Sequence, residues 1–232
     1  MTGWRNAKIQ HNIMNINQIA VKLNKLASEK GYQISKLPEL RKKYLNKLKL
    51  PADIFTYQTI FDSDDKYAFH HGGRDEMQFN FGEEYINGKK VSRYALCFSL
   101  EASRSLTNPV DDLKPFRARF DKCIRTNPTF FENFEMWYYQ SGQRFGNYPP
   151  QKIPNDWFQQ GSFIAIGNII PKSLSALREA DLIAILQGFD RLLPIYQYCV
   201  LQSPSIIIKE KRIAKLCWNG NDWISPDRKS VV

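Results

Sequence analysis

The chain has 232 residues, of which 43% are hydrophobic and 13% aromatic, enough to build a core and to exclude wholesale disorder. Its formal charge is +10, and the charge is unevenly spread. Residues 1–50 hold eleven Lys or Arg against two acids, a local charge of +9 that leaves +1 for all the rest. A near-neutral body with a basic N-terminal segment suggests a polyanion, most simply nucleic acid. No apolar run approaches the roughly 18 residues of a membrane span. The start, MTGWRNAKIQ, lacks the apolar stretch of a secretory signal. Four scattered cysteines, Cys97, Cys123, Cys199 and Cys217, show neither CxxC nor zinc-type spacing. They read as buried thiols of a reduced, cytoplasmic protein.

Residues 12–30 place Ile13, Ile16, Ile19, Ala20, Leu23 and Leu26 at spacings of three and four, which predicts an amphipathic helix closed by Gly31. A second helix follows Pro38, with Leu40, Tyr44, Leu45 and Leu48 on one side and Arg41, Lys42, Lys43, Lys47 and Lys49 around the rest; Pro51 ends it. Residues 1–51 are thus expected to form a basic helical N-terminal arm.

The period then changes. YAFHHGGRDEMQFNFG (67–82) opens with two adjacent histidines and two glycines, then alternates, with Met77, Phe79 and Phe81 on one face and Gln78 and Asn80 on the other. Asn87-Gly88 is a strong type I′ hairpin signal, and Val91 to Glu101 returns with Tyr94, Leu96, Phe98 and Leu100 on one face. Leu113, Phe116, Phe120, Cys123 and Ile124 predict a helix over 111–126. MWYYQ (136–140) reads as a strand and the glycine- and proline-rich SGQRFGNYPPQKIP (141–154) as an extended loop. A buried strand at 161–170 and a helix at 180–201, interrupted or kinked at Pro194, complete residues 52–203. This order predicts an α+β fold, a mostly antiparallel sheet with helices packed on it. Residues 204–232 begin as a strand and end in a polar segment between Trp218 and Trp223, a tail that could lead into a further domain.

Catalytic motifs are scarce. There is no GxSxG elbow, no Walker loop and no GxGxxG. A magnesium nuclease of the restriction type needs an Asp followed by Glu-x-Lys, and none lies near the hairpin. A compact metal-dependent site would have to use Asp75, Glu76 and His70 or His71, but adjacent histidines on an extended chain point to opposite sides. No catalytic residue, metal or other cofactor is therefore expected in this chain. A binding role is better supplied. Arg74, Arg104 and Arg144 sit in strand-end segments near Trp137, Tyr139 and Tyr148, and arginine forks with aromatic faces suit phosphates and bases. With Arg41, Lys42, Lys43 and one exposed histidine, His71, they form the expected nucleic-acid-binding set. The alternatives are a compact metal-dependent nuclease using the His70–Glu76 segment, and a protein-interaction module whose basic helices dock an acidic partner.

The stretches FHHGGRDEMQFNFG, RYALCFSLEASRSL, FEMWYYQSGQRFGNYPP and LQGFDRLLPIYQYC resemble the N-terminal module of restriction-type defence proteins. The layout over about residues 55–203 is similar to the specificity domain of the McrB type. That resemblance implies a module reading double-stranded DNA, methylated or hydroxymethylated at cytosine, by base flipping. It places cleavage and nucleotide hydrolysis in a nuclease or ATPase domain or subunit elsewhere.

Overall fold

A computed structural model describes residues 14–46, 49–61, 66–203, 217–218 and 223–224. The first helix, α1 (Ile16–Glu29), begins at Asn15, whose side chain accepts from the Gln18 amide while Gln18 caps the Asn15 amide in return. It ends where Gly31 turns left-handed at φ +70°. Ile16, Ile19, Ala20, Leu23, Leu26 and Ala27 are buried. A short 3₁₀ turn leads to α2 (Leu37–Leu45), with Pro38 in its first turn. Both helices contribute to the same apolar core as the sheet. The described residues of α1 and α2 thus pack as part of one core with the sheet.

Seven strands make one antiparallel sheet: β1 (Ile60–Phe61), β2 (Tyr67–Phe69), β3 (Gln78–Ile86), β4 (Lys89–Ser99), β5 (Glu135–Gln140), β6 (Gln143–Tyr148) and β7 (Phe163–Ile170). Their spatial order is β1-β2-β3-β4-β7-β5-β6. The β3–β4 hairpin turns at Asn87 and Gly88, both at positive φ, so that Ile86 faces Lys89 as the sequence predicts. Phe79, Phe81, Tyr94, Leu96 and Phe98 then point into the core.

Three helices complete that core: α3 (Pro109–Thr126), the single-turn α4 (Pro128–Phe131) and α5 (Glu179–Cys199). α5 runs unbroken through Pro194. Its Gly188 lies against Tyr94 of β4, where a Cβ would clash with the ring. The fold is α+β, with the helices on one face of the sheet. Among the described residues no helix is long and apolar enough to cross a membrane.

Two segments differ from the sequence reading. β1 and β2 extend the sheet beyond β3, and 143–148 is a strand instead of an extended loop. Ser141 and Gly142 form its turn at φ +51° and +75°, and Tyr139 pairs with Arg144. The expected tail strand falls mostly outside the described residues. Within them, β8 (Cys217–Trp218) and β9 (Trp223–Ile224) form a two-residue ladder, pairing Trp218 with Trp223.

Candidate functional site

The strand period of two sends every second side chain away from the helices. On that open face β3 presents Gln78, Asn80 and Glu84, β4 presents Arg93, and β7 presents Phe163; Tyr139 and Arg144 arrive from β5 and β6. These residues line a groove of about 610 Å³. Tyr67 and Phe69 of β2 close one end. With Phe61 they form a stacked row at 5.0 and 5.8 Å between ring centroids.

Charges in the groove are interleaved. Arg74 leaves the turn after β2, lies over the Phe69 ring at 5.2 Å, donates to the Tyr67 hydroxyl at 3.2 Å and pairs with Glu101 at 3.5 Å. Arg93 donates to Asn80 Oδ1 and lies over Phe163 at 5.7 Å. Arg144 lies 5.4 Å from the Trp137 ring, donates to Asn147 Oδ1 at 2.7 Å, and has its Nε 3.3 Å from Glu84 Oε2. Gly146 allows this approach: at φ +134° it brings β6 so close that a Cβ would meet Trp137 Cβ at 2.7 Å. Burial raises the Glu84 carboxyl against the pull of Arg93 and Arg144.

Several buried polar atoms here have no hydrogen-bond partner among the described residues: Gln78 Oε1, Asn80 Nδ2, Glu84 Oε1, Arg93 Nε and Trp137 Nε1, while Glu84 Oε2 has the Arg144 ion pair. Gln78, Asn80 and Arg93 are 3%, 0% and 7% exposed. Their side chains line the groove, but these particular atoms are closed off from its open space, so a ligand's donors and acceptors reach them only when the side chains turn.

The sequence-derived set divides accordingly. Arg74, Tyr139 and Arg144 line the groove. Trp137 is its floor, fully buried under Arg144 and packed with Ala95, Cys97 and Ala165. Tyr148 does not belong to it. Together with Tyr138 and Phe145 it stacks around Trp157 on the helix side of the sheet, at 4.8 Å from Trp157. Arg104 is exposed in a loop whose Ser105 donates to Asp75 at 2.6 Å, and it lies outside the groove lining. Lys42 and Lys43 are exposed on α2. His71 is half-buried on the α2 side of the 70–75 turn, where its amide donates to the Ile54 carbonyl at 3.1 Å.

Arg41 requires a correction: it is 2% exposed, and no phosphate can reach it. Its Nε donates to Glu76 Oε1 at 2.8 Å and its Nη1 to the His71 carbonyl. Gly72, left-handed at φ +77°, makes room, since a Cβ there would meet Arg41 Nη2 at 2.5 Å. Glu76 also receives the Tyr196 hydroxyl and lies 3.1 Å from His70 Nε2. His70 Nδ1 accepts the Phe79 amide at 3.0 Å, so the ring proton sits on Nε2 and is donated to Glu76. Burial alone would raise the Glu76 carboxyl, but the His70 hydrogen bond, the Arg41 guanidinium and the Tyr196 hydroxyl together hold it at about 2. His70 and Glu76 are thus tied to Arg41 and Tyr196 in a buried network. Among the described residues no group of three His, Cys, Asp or Glu could hold a metal ion. Cys97, Cys123 and Cys199 are buried and unbridged, and burial pushes the Cys97 and Cys123 thiols up to about 12.

Sequence reasoning missed Gln78, Asn80, Glu84, Arg93, Phe69 and Phe163. The available signal was the polar half of the β3 alternation facing Arg93 across the hairpin. Comparison with known proteins adds no relative: no family model matches the chain, and neither a curated protein nor a solved structure matches it.

Proposed function

We propose that this chain is a DNA-reading specificity module, in which the open-face groove receives a base turned out of the duplex. The observation that carries this reading is the groove itself: amide, carboxylate and guanidinium side chains set between the rings of Tyr67, Phe69, Tyr139 and Phe163. Polar atoms for the edge of a base and flat faces for its ring are what a flipped-base pocket requires. The net charge of +10, concentrated in the first 50 residues, supplies the sequence-independent attraction to phosphate. Lys42 and Lys43 are the exposed cations of α2 available for it. The module belongs, on this reading, to a cytoplasmic restriction-type defence system, in which cleavage and nucleotide hydrolysis reside in another domain or subunit. The resemblance to McrB-type specificity domains supports that context.

The test is a binding titration at one fixed low salt concentration with three duplexes of the same sequence: unmodified, 5-methylated and hydroxymethylated at cytosine. Binding to all three with a preference for one modified form is expected. Absence of binding to every duplex refutes the reading, because phosphate contacts alone give measurable affinity at low salt.

A further inference from the structure

The sheet curls far more than its strand order shows. Register sets Glu84 opposite Val91, at the turn end of β4. Arg144 is level with Ser99, at the other end of β4, through Tyr139 and Phe163. β4, β7 and β5 also lie between the strands that carry the two residues. In a flat sheet of this register their Cα atoms would stand roughly 30 Å apart. Their side chains meet at 3.3 Å. Both project from the open face, so that face is concave, and two diagonal corners of the sheet close over it.

One of those corners is a two-stranded ribbon. β2 pairs with β3 only as far as Gly82, and β7 with β4 only as far as Ser92. The ribbon is fastened at its root. The Glu83 amide donates to the Lys66 carbonyl at 3.0 Å, Glu83 Oε2 accepts the Leu174 amide at 2.9 Å, and Ser92 Oγ donates to the Lys172 carbonyl at 2.7 Å. Beyond the root, Tyr85, Asn87, Gly88, Lys89 and Lys90 are exposed. Among the described residues, the ribbon's one ion pair with a strand outside the hairpin is Glu84–Arg144. With Arg144 15% and Glu84 9% exposed, solvent screens that pair little. Beneath it are Trp137, under the Arg144 guanidinium, and Cys97, whose thiol feels the charges of Arg93 and Glu84.

We propose that the end of the β3–β4 hairpin is a lid over the Trp137–Cys97 floor of the groove, hinged at Gly82 and Ser92 and latched by the Glu84–Arg144 pair, and that an occupant reaches this floor when the latch parts. The inference concerns access to the groove and holds for any occupant, so it goes beyond the base-reading function. Hydrogen exchange and thiol alkylation test it in Glu84→Gln and Glu84→Asp. The aspartate keeps the charge beside Cys97 but shortens the arm, so the pair no longer closes at 3.3 Å. In both variants the amides of residues 84–91 are expected to exchange at least about fivefold faster, while those of α5 are unchanged. Alkylation by N-ethylmaleimide, resolved by peptide mass, is expected to quicken by a similar factor at Cys97 in Glu84→Asp and to stay unchanged at Cys123 and Cys199, which are buried among the helices. Unchanged exchange over 84–91 in Glu84→Gln overturns the latch. Faster exchange without faster Cys97 alkylation overturns the lid, because the ribbon then covers nothing. A rise shared by α5, Cys123 and Cys199 marks loosening of the whole domain and overturns it too. Failure of DNA to bind leaves this inference standing, and its own failure leaves the DNA reading in place.

Discussion

Replacing Arg41 by methionine isolates the largest electrostatic element of the interior. The guanidinium and the Glu76 carboxylate are 2% and 4% exposed at their side chains and 2.8 Å apart. At an effective dielectric of about 20 their attraction is about 6 kcal/mol, much of it offset by removing both ions from water. Methionine keeps most of the volume but leaves Glu76 desolvated, supported by His70 and Tyr196 without the guanidinium. Breaking one side of a buried pair costs about 3–5 kcal/mol, a large share of the about 5–15 kcal/mol that holds a typical domain. Urea unfolding followed by circular dichroism at neutral pH reads the loss directly, as a lower midpoint at unchanged slope. Glu76→Gln in the same background should recover part of it, giving a coupling of at least about 1 kcal/mol in the double-mutant cycle. A loss under about 1 kcal/mol in Arg41→Met would show that the pair is hydrated in solution and that the argument from burial is wrong.

Acid should expose the same network. The Glu76 carboxyl titrates at about 2 in the folded protein, against an ordinary value of 4.5. Its stabilisation is therefore fully present above about pH 4.5 and is lost as pH falls toward 2; the difference corresponds to about 3 kcal/mol. Stability measured across that window should decline in the native protein, and in Arg41→Met, where the folded-state value moves back toward 4.5, the decline should be smaller. Exchanging Lys42 and Lys43 for glutamine should weaken binding to all duplexes alike and reduce the slope of log affinity against log salt by up to about 2. A change in preference without a change in slope would place these lysines at the base rather than the backbone. Arg144→Ala should alter the preference between modified and unmodified duplexes. Tyr148→Ala should leave that preference in place and lower stability instead, by about 1–3 kcal/mol as a half-buried ring contact with Trp157 is lost.

Local signals were legible where one segment decides its own structure. The Asn87-Gly88 turn, the inward faces of β3 and β4, and the α1 stripe all follow from spacing and turn chemistry. The β6 strand was hidden because glycine and proline punctuation reads as loop; its pairing depends on β5, and its close approach to Trp137 on Gly146. The groove was hidden for a related reason. Gln78 and Asn80 alternate as a solvent-facing edge would, and nothing local shows that they are buried. Arg41 sits in a run of cations that looks uniformly exposed. Its partner Glu76 is 35 residues away, and Tyr196 reaches the same carboxylate across 120 residues. Long-range electrostatics of this kind leaves no periodic trace.

The guanidinium lying across Trp137 also gives the domain an optical consequence. That indole is the floor of the open face, whereas Trp157 is stacked between Tyr138 and Tyr148 on the opposite side of the sheet. A ligand that lifts Arg144 exchanges a fixed cation for a neutral ring or water above one fluorophore and leaves the other in its aromatic stack. With Trp4→Phe, Trp218→Phe and Trp223→Phe removing the other three of the five tryptophans, Trp137 emission becomes a readout of groove occupancy that needs no attached dye, with Trp157 as the internal reference.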